Sequence, residues 1–209
     1  MSNSSNFDNE NVLPSEDALM DIINKIKEFD YIDPAIIPDI DLYMDQVTTF
    51  MDAHLGDLRR NDEDKVLTKT MINNYTKNDV LPPPVKKKYS KDHMCLLILL
   101  YYFKNVLSID DIQKIFHPLK EMFYDSENSI GIDEIYTQIF TMEKQMADKL
   151  TKDIYRRYKS SQGMFKNVKD EKQADYLSRF AYICLLSFDA YLKKQMVERL
   201  IDETLSDIE

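Results

Sequence analysis

Apolar residues in this chain recur mostly at spacings of three and four, the period of a helix that buries one face. Leu19, Ile22, Ile23 and Ile26 form such a stripe, and Ser15 ahead of Glu16 and Asp17 supplies a cap with acidic groups in the first turn. Pro34 and Pro38 interrupt the period, so Asp30–Ile40 reads as an extended connector. A second helix is predicted over about Asp41–Leu55, with Leu42, Val47, Phe50, Met51 and Leu55 inward. Beyond the charged loop 56–65, Thr68 caps a short helix from Lys69 to about Lys77, whose inner face is Met71, Ile72 and Tyr75. Leu81 and the run Pro82–Pro84 stop any helix and hold the chain extended. The basic stretch Val85–Tyr89 reads as a strand or a loop.

Ser90 then caps a buried helix from Lys91 to about Asn105, which places Leu96, Leu97, Leu100 and Phe103 in the core. Ser108 opens the next helix, with Asp111 at the capping-box position. Two long helices follow. The first covers about Ile132–Lys159, with Ile135, Ile139, Met142, Met146, Leu150 and Ile154 inward. The second covers about Lys169–Leu205; its centre, Phe180–Leu192, is apolar nearly all round and is expected to be the core helix of its domain. These stripes exceed what two isolated helices can bury, so a homodimer formed mainly beyond residue 120 is expected. Residues 1–14, rich in Ser and Asn, read as a disordered tail.

Composition supports a helical protein. Only three glycines occur, far too few for the turns of a β-rich chain of 209 residues. Cys95 and Cys184 lie in apolar runs and read as reduced, buried thiols of a cytoplasmic protein. No signal peptide is legible, and the longest apolar run, Met94–Phe103, is too short to span a bilayer, so no membrane association is expected.

Charge changes the picture more. The net value of −10 hides a strong asymmetry. Residues 1–64 carry 16 acidic and 4 basic groups, whereas residues 65–104 carry 8 basic and 2 acidic ones. Local charge, not the total, decides where phosphate is attracted. At about 100° per residue, Lys69, Thr70, Asn73 and Lys77 fall opposite the apolar face of their short helix. Asn can pair bidentately with adenine, and Lys reaches guanine or phosphate. Lys86, Lys87 and Lys88 follow on the proline stem, as a cationic loop that could hold the phosphate backbone.

No catalytic constellation competes with this reading. His54, His93 and His117 have no metal-ligand spacing, there is no glycine-rich phosphate loop, and Asp110 and Asp111 suit a helix N-terminus. The chain is therefore not expected to be an enzyme, and no cofactor is implied. The Met and Tyr residues of 122–205 read as core, with room among them for a small-molecule effector.

The stretch Tyr75–Pro84, the stretch Lys88–His93 and Ser108–Ile112 resemble the MerR-type winged helix. The resemblance implies that Tyr75, Leu81, Pro82, Tyr89, Ser108 and Ile112 hold that fold and that Lys86–Lys88 form the wing. A wider stretch, 36–120, including Pro38–Gln46 and Leu67–Tyr75, resembles a bacterial family of unknown function, domain-of-unknown-function family 1836, whose members are viewed as MerR-like. Here the wing is short and all lysine, and Asn73 stands where that family often has arginine. The fold expected is all-α, a MerR-like winged helix followed by long C-terminal helices. Residues 15–120 would form the N-terminal helices and winged-helix domain, and 121–209 a dimerisation or sensing domain. The function implied is a transcriptional regulator that binds double-stranded DNA. A protein-binding adaptor of the same fold is the alternative, favoured by the acidic first 64 residues.

Overall fold

A computed structural model describes residues 16–28, 32–61, 63–125 and 130–205. The tail expected at 1–14, the Ser15 cap and the inward placement of Ile26 lie outside the residues and side chains described. Seven α-helices and one two-stranded sheet are present among the described residues. In chain order they are α1 (Glu16–Glu28), β1 (Leu42–Tyr43), α2 (Met44–Leu55), α3 (Lys69–Lys77), β2 (Lys88–Tyr89), α4 (Lys91–Phe103), α5 (Ile109–Phe123), α6 (Ile132–Gln162) and α7 (Glu171–Thr204). The connector before β1 contains one 3-10 turn, Pro34–Ile36, capped by the Asp33 carboxylate. Among these residues no helix is long and apolar enough to cross a membrane.

Contacts divide the described residues into two compact units, 16–28 with 147–190, and 32–146 with 191–205. The smaller core, in the first unit, gathers Leu19, Ile23 and Tyr158, with Ile154 and Tyr182 packed against them. In this unit Arg157 bridges Asp153 and Asp189.

The larger core belongs to the second unit and is built around α4. Met94 through Ile98 and Leu100 are wholly buried, because α4 is apolar on nearly every side and is covered on nearly every side. Val47, Met51 and Leu55 of α2, Ile72 and Tyr75 of α3, and Ile112 and Phe116 of α5 close over it. The caps form as the sequence predicts: Thr68 accepts from the Met71 amide, and Ser108 from the Asp111 amide. The Ser90 cap is reciprocal, with the His93 ring accepting the Ser90 amide at 3.0 Å. β1 and β2 pair antiparallel, Leu42 opposite Tyr89 and Tyr43 opposite Lys88.

The two long helices depart from expectation. On α6 the residues buried in the larger core are Ile132, Tyr136 and Phe140, at strict four-residue spacing. The predicted stripe lies beside them, and Ile139, Met142, Met146 and Leu150 are exposed. An aromatic-rich row thus took the interior in place of the aliphatic one. The centre of α7, expected as a core helix, is likewise open: Phe180, Ile183, Phe188, Tyr191 and Leu192 are all more than half exposed.

Candidate nucleic-acid interface

α3 is nine residues long, and its two sides are sharply different. Ile72 is fully buried and Tyr75 nearly so. Lys69, Thr70, Asn73 and Lys77 are all exposed. One of the four is already engaged, since the Lys69 ammonium forms an ion pair with Asp45 in the first turn of α2.

The end of α3 is fixed twice. The Val80 amide returns to the Tyr75 carbonyl at 2.8 Å and the Asp79 amide to the Thr76 carbonyl at 3.2 Å. This pair of bonds is a Schellman ending, with buried Val80 packing under the last turn. It requires left-handed backbone at Asp79, whose φ is 57°. Aspartate tolerates that region better than most side chains. The Asp79 carboxylate then reaches α5, accepting from Lys120 at 2.6 Å and meeting His117 at 3.1 Å. Hydrogen bonding to Lys120, more than any other cause, holds this carboxyl below its usual range. Gln113 also donates to the Asn78 carbonyl at 2.7 Å. Sequence reasoning missed this clamp. The Asn-Asp pair after the helix was its only local signal.

The basic stretch is a hairpin tip. Val85 and Lys88 exchange both backbone hydrogen bonds, at 3.1 and 2.9 Å, around a two-residue turn. Both turn residues are left-handed, Lys86 at φ 51° and Lys87 at φ 64°. Such turns normally use Asn-Gly, because a side chain in the left-handed region costs roughly 1–2 kcal/mol. Lys87→Gly is therefore expected to raise stability by about 0.5–1 kcal/mol, the strain relieved exceeding the entropy that glycine adds to the unfolded chain. A chemical denaturation midpoint that fell instead would rule out this turn.

Lys86 and Lys87 are exposed, whereas Lys88 is half-buried in β2, its ammonium 5.3 Å from the centre of the Tyr43 ring. The three lysines thus differ in circumstance, although the sequence presents them as one run.

Behind the hairpin stands a second feature the sequence did not announce, the buried His93. Its Nδ1 accepts the Ser90 amide, its ring meets the Tyr124 hydroxyl at 3.2 Å, and it faces the carbonyls of Pro82 and Pro83. Tyr89 lies edge-on at 5.4 Å between ring centres. One imidazole therefore joins the proline stem, the start of α4 and the end of α5. Burial lowers its pKa from the free value of 6.5, with the proline carbonyls and Asp41 opposing the shift. A depressed folded value means that the unfolded state takes up the proton first. Stability is then complete above about pH 6.5 and is lost as pH falls through the folded value. Thermal midpoints are expected to drop from pH 7.5 to pH 5.5, and His93→Gln, which can keep the cap acceptor, should flatten that part of the profile. Asp79 acts in the same direction, but only below the ordinary carboxylate range. An unchanged slope in the variant would show that other groups titrate.

Burial pushes the Cys95 thiol up to about 12. Among the described residues no group of three His, Cys, Asp or Glu could hold a metal ion. One family model matches the chain, that of a domain of unknown function (DUF1836), over residues 32–140. No curated protein and no solved structure matches it.

Proposed function

The chain belongs to the DUF1836 family, and we propose that it is a DNA-binding transcriptional regulator whose reading unit is a MerR-like winged helix. The observation that carries this reading is the sidedness of α3. Its apolar face is buried, while Lys69, Thr70, Asn73 and Lys77 all face solvent on a helix of the kind a major groove admits. In this reading α2 and α3 are the helix pair and the Val85–Lys88 hairpin is the wing. Asn73 and Lys77 approach base edges; Lys86 and Lys87, with Lys88 behind them, hold phosphates. A mobility-shift assay against genomic fragments at low and moderate salt tests the reading. Retarded fragments that release as salt rises are the expected result. No retardation even at low salt would overturn it.

A homodimer through α6 and α7 belongs to the same proposal. Met142 on α6 and Leu192 on α7 are 63% and 65% exposed, within long helices that carry several other exposed apolar residues. Large apolar side chains left open to solvent along a helix are a feature of interaction surfaces. Sedimentation at micromolar concentration is expected to show a dimer, and Leu192→Asp with Met196→Asp to shift it toward monomer. A monomeric wild-type chain would refute this part.

One feature favours the alternative, a protein-binding adaptor that keeps the fold without binding DNA. Beside Asp45, the partner of Lys69, lies an open groove of about 410 Å³ lined by Pro38, Leu42, Phe50 and His54 among others. It is largely apolar and lies on the most acidic third of the chain. The mobility-shift result decides between the two.

A further inference from the structure

In the second unit, α4 and α6 line a half-open pocket of about 190 Å³. Leu99, Tyr102 and Phe103 line it from α4, and Tyr136, Ile139, Phe140 and Glu143 from α6. Two of the lining residues are fixed by contacts outside it. The Tyr136 hydroxyl is tied to the Ile32 carbonyl at 2.6 Å, and Phe103 is braced edge-on against Phe116 at 5.7 Å between ring centres. Around this opening Leu99, Tyr102 and Phe103 are only partly buried, although Met94 through Ile98 on the same helix are sealed. The wall of α4 that faces the cavity is thus where its packing is incomplete.

We propose that this cavity is a binding site for a small planar aromatic molecule of one or two rings that carries an N–H group. Size sets the first limit: an apolar protein cavity of roughly 150 Å³ holds a benzene ring. The lining sets the second. Four of its seven residues are aromatic, so a flat ring can meet them edge-on or stacked. Glu143, exposed at the rim, brings the one charged side chain of the lining, and its carboxylate, which can accept more than one donor, takes the N–H. The site stands whichever reading of α3 is correct, since it makes no use of that helix.

Indole and naphthalene are suitable probes for the full-length chain, with binding followed by calorimetry and by the thermal midpoint. Saturable indole binding is expected, with Kd on the order of 0.1–1 mM for so small a ligand, and a midpoint that rises with ligand concentration. Ile139→Trp, placed at the partly exposed mouth, should abolish binding of both probes without lowering the midpoint of the free protein. Glu143→Leu should weaken indole several-fold and leave naphthalene unaffected. No saturable binding, or full binding in the Ile139→Trp variant, would overturn the site. Naphthalene binding with no loss of indole affinity in Glu143→Leu would overturn the N–H assignment. If indole instead dissociated dimers of the chain, the cavity would be the seat of a second copy, and the proposal would fail.

Discussion

Replacing Lys86, Lys87 and Lys88 together by alanine is expected to weaken binding to every DNA duplex alike, by on the order of 10²-fold at about 0.15 M salt. The magnitude follows from counterion release. Each phosphate contact adds about −0.9 to the log–log slope of affinity against salt, so three contacts carry nearly three units of slope. Extrapolated from about 1 M salt, where that contribution vanishes, to about 0.15 M, three units amount to roughly a hundredfold. Lys88 sits over the Tyr43 ring and should account for the smallest share. Asn73→Ala is the internal control. It removes a neutral group, releases no counterion, and should reduce discrimination between sites while leaving the slope nearly unchanged. Fluorescence anisotropy with one preferred and one random duplex, titrated at several salt concentrations, separates the two effects. Equal slopes for wild type and the triple variant would remove the hairpin from the interface.

Leu100→Ala is expected to cost about 2–5 kcal/mol of folding stability, the range for a leucine removed from a core that cannot collapse around the gap. Leu100 is wholly buried near the end of α4, the helix around which the larger core is assembled. For a chain of this size the loss corresponds to a thermal midpoint lower by roughly 5–15 °C. The neighbouring Leu99 offers a contrast, because it is only partly buried and borders the α4–α6 cavity. Leu99→Ala should cost distinctly less. If the two variants melted together, α4 would be rotated from its observed setting.

What could be read from the residues alone was local chemistry. Thr68, Ser90 and Ser108 cap helices because a short hydroxyl before an apolar period has few other uses. The faces of α2, α3 and α4 were legible because each meets a single large core, so polarity and burial coincide. The period of α6 was legible and its inward row was not. Ile132, Tyr136 and Phe140 make as good a stripe as Ile135, Ile139 and Met142, and only the partner surface chooses between them. For α7, the apolar composition predicts burial, but composition does not say which surface covers it. At the candidate site, the residue types and their exposure on α3 were readable. The ion pair of Lys69 with Asp45, the clamp of Asp79 on Lys120 and the position of His93 join residues distant in sequence, and no spacing rule reaches them.

The left-handed turn at Lys86 and Lys87 also has an evolutionary side. If the tip holds phosphates as proposed, two demands fall on the same two codons and cannot both be met. Glycine or asparagine would suit the backbone and discard the charge; lysine keeps the charge and leaves the backbone strained. Lineages under selection for robustness alone should drift toward the uncharged pair, and those under selection for an anionic partner toward the cationic one. Lysine occupies both positions here, so in this chain turn stability has given way to charge.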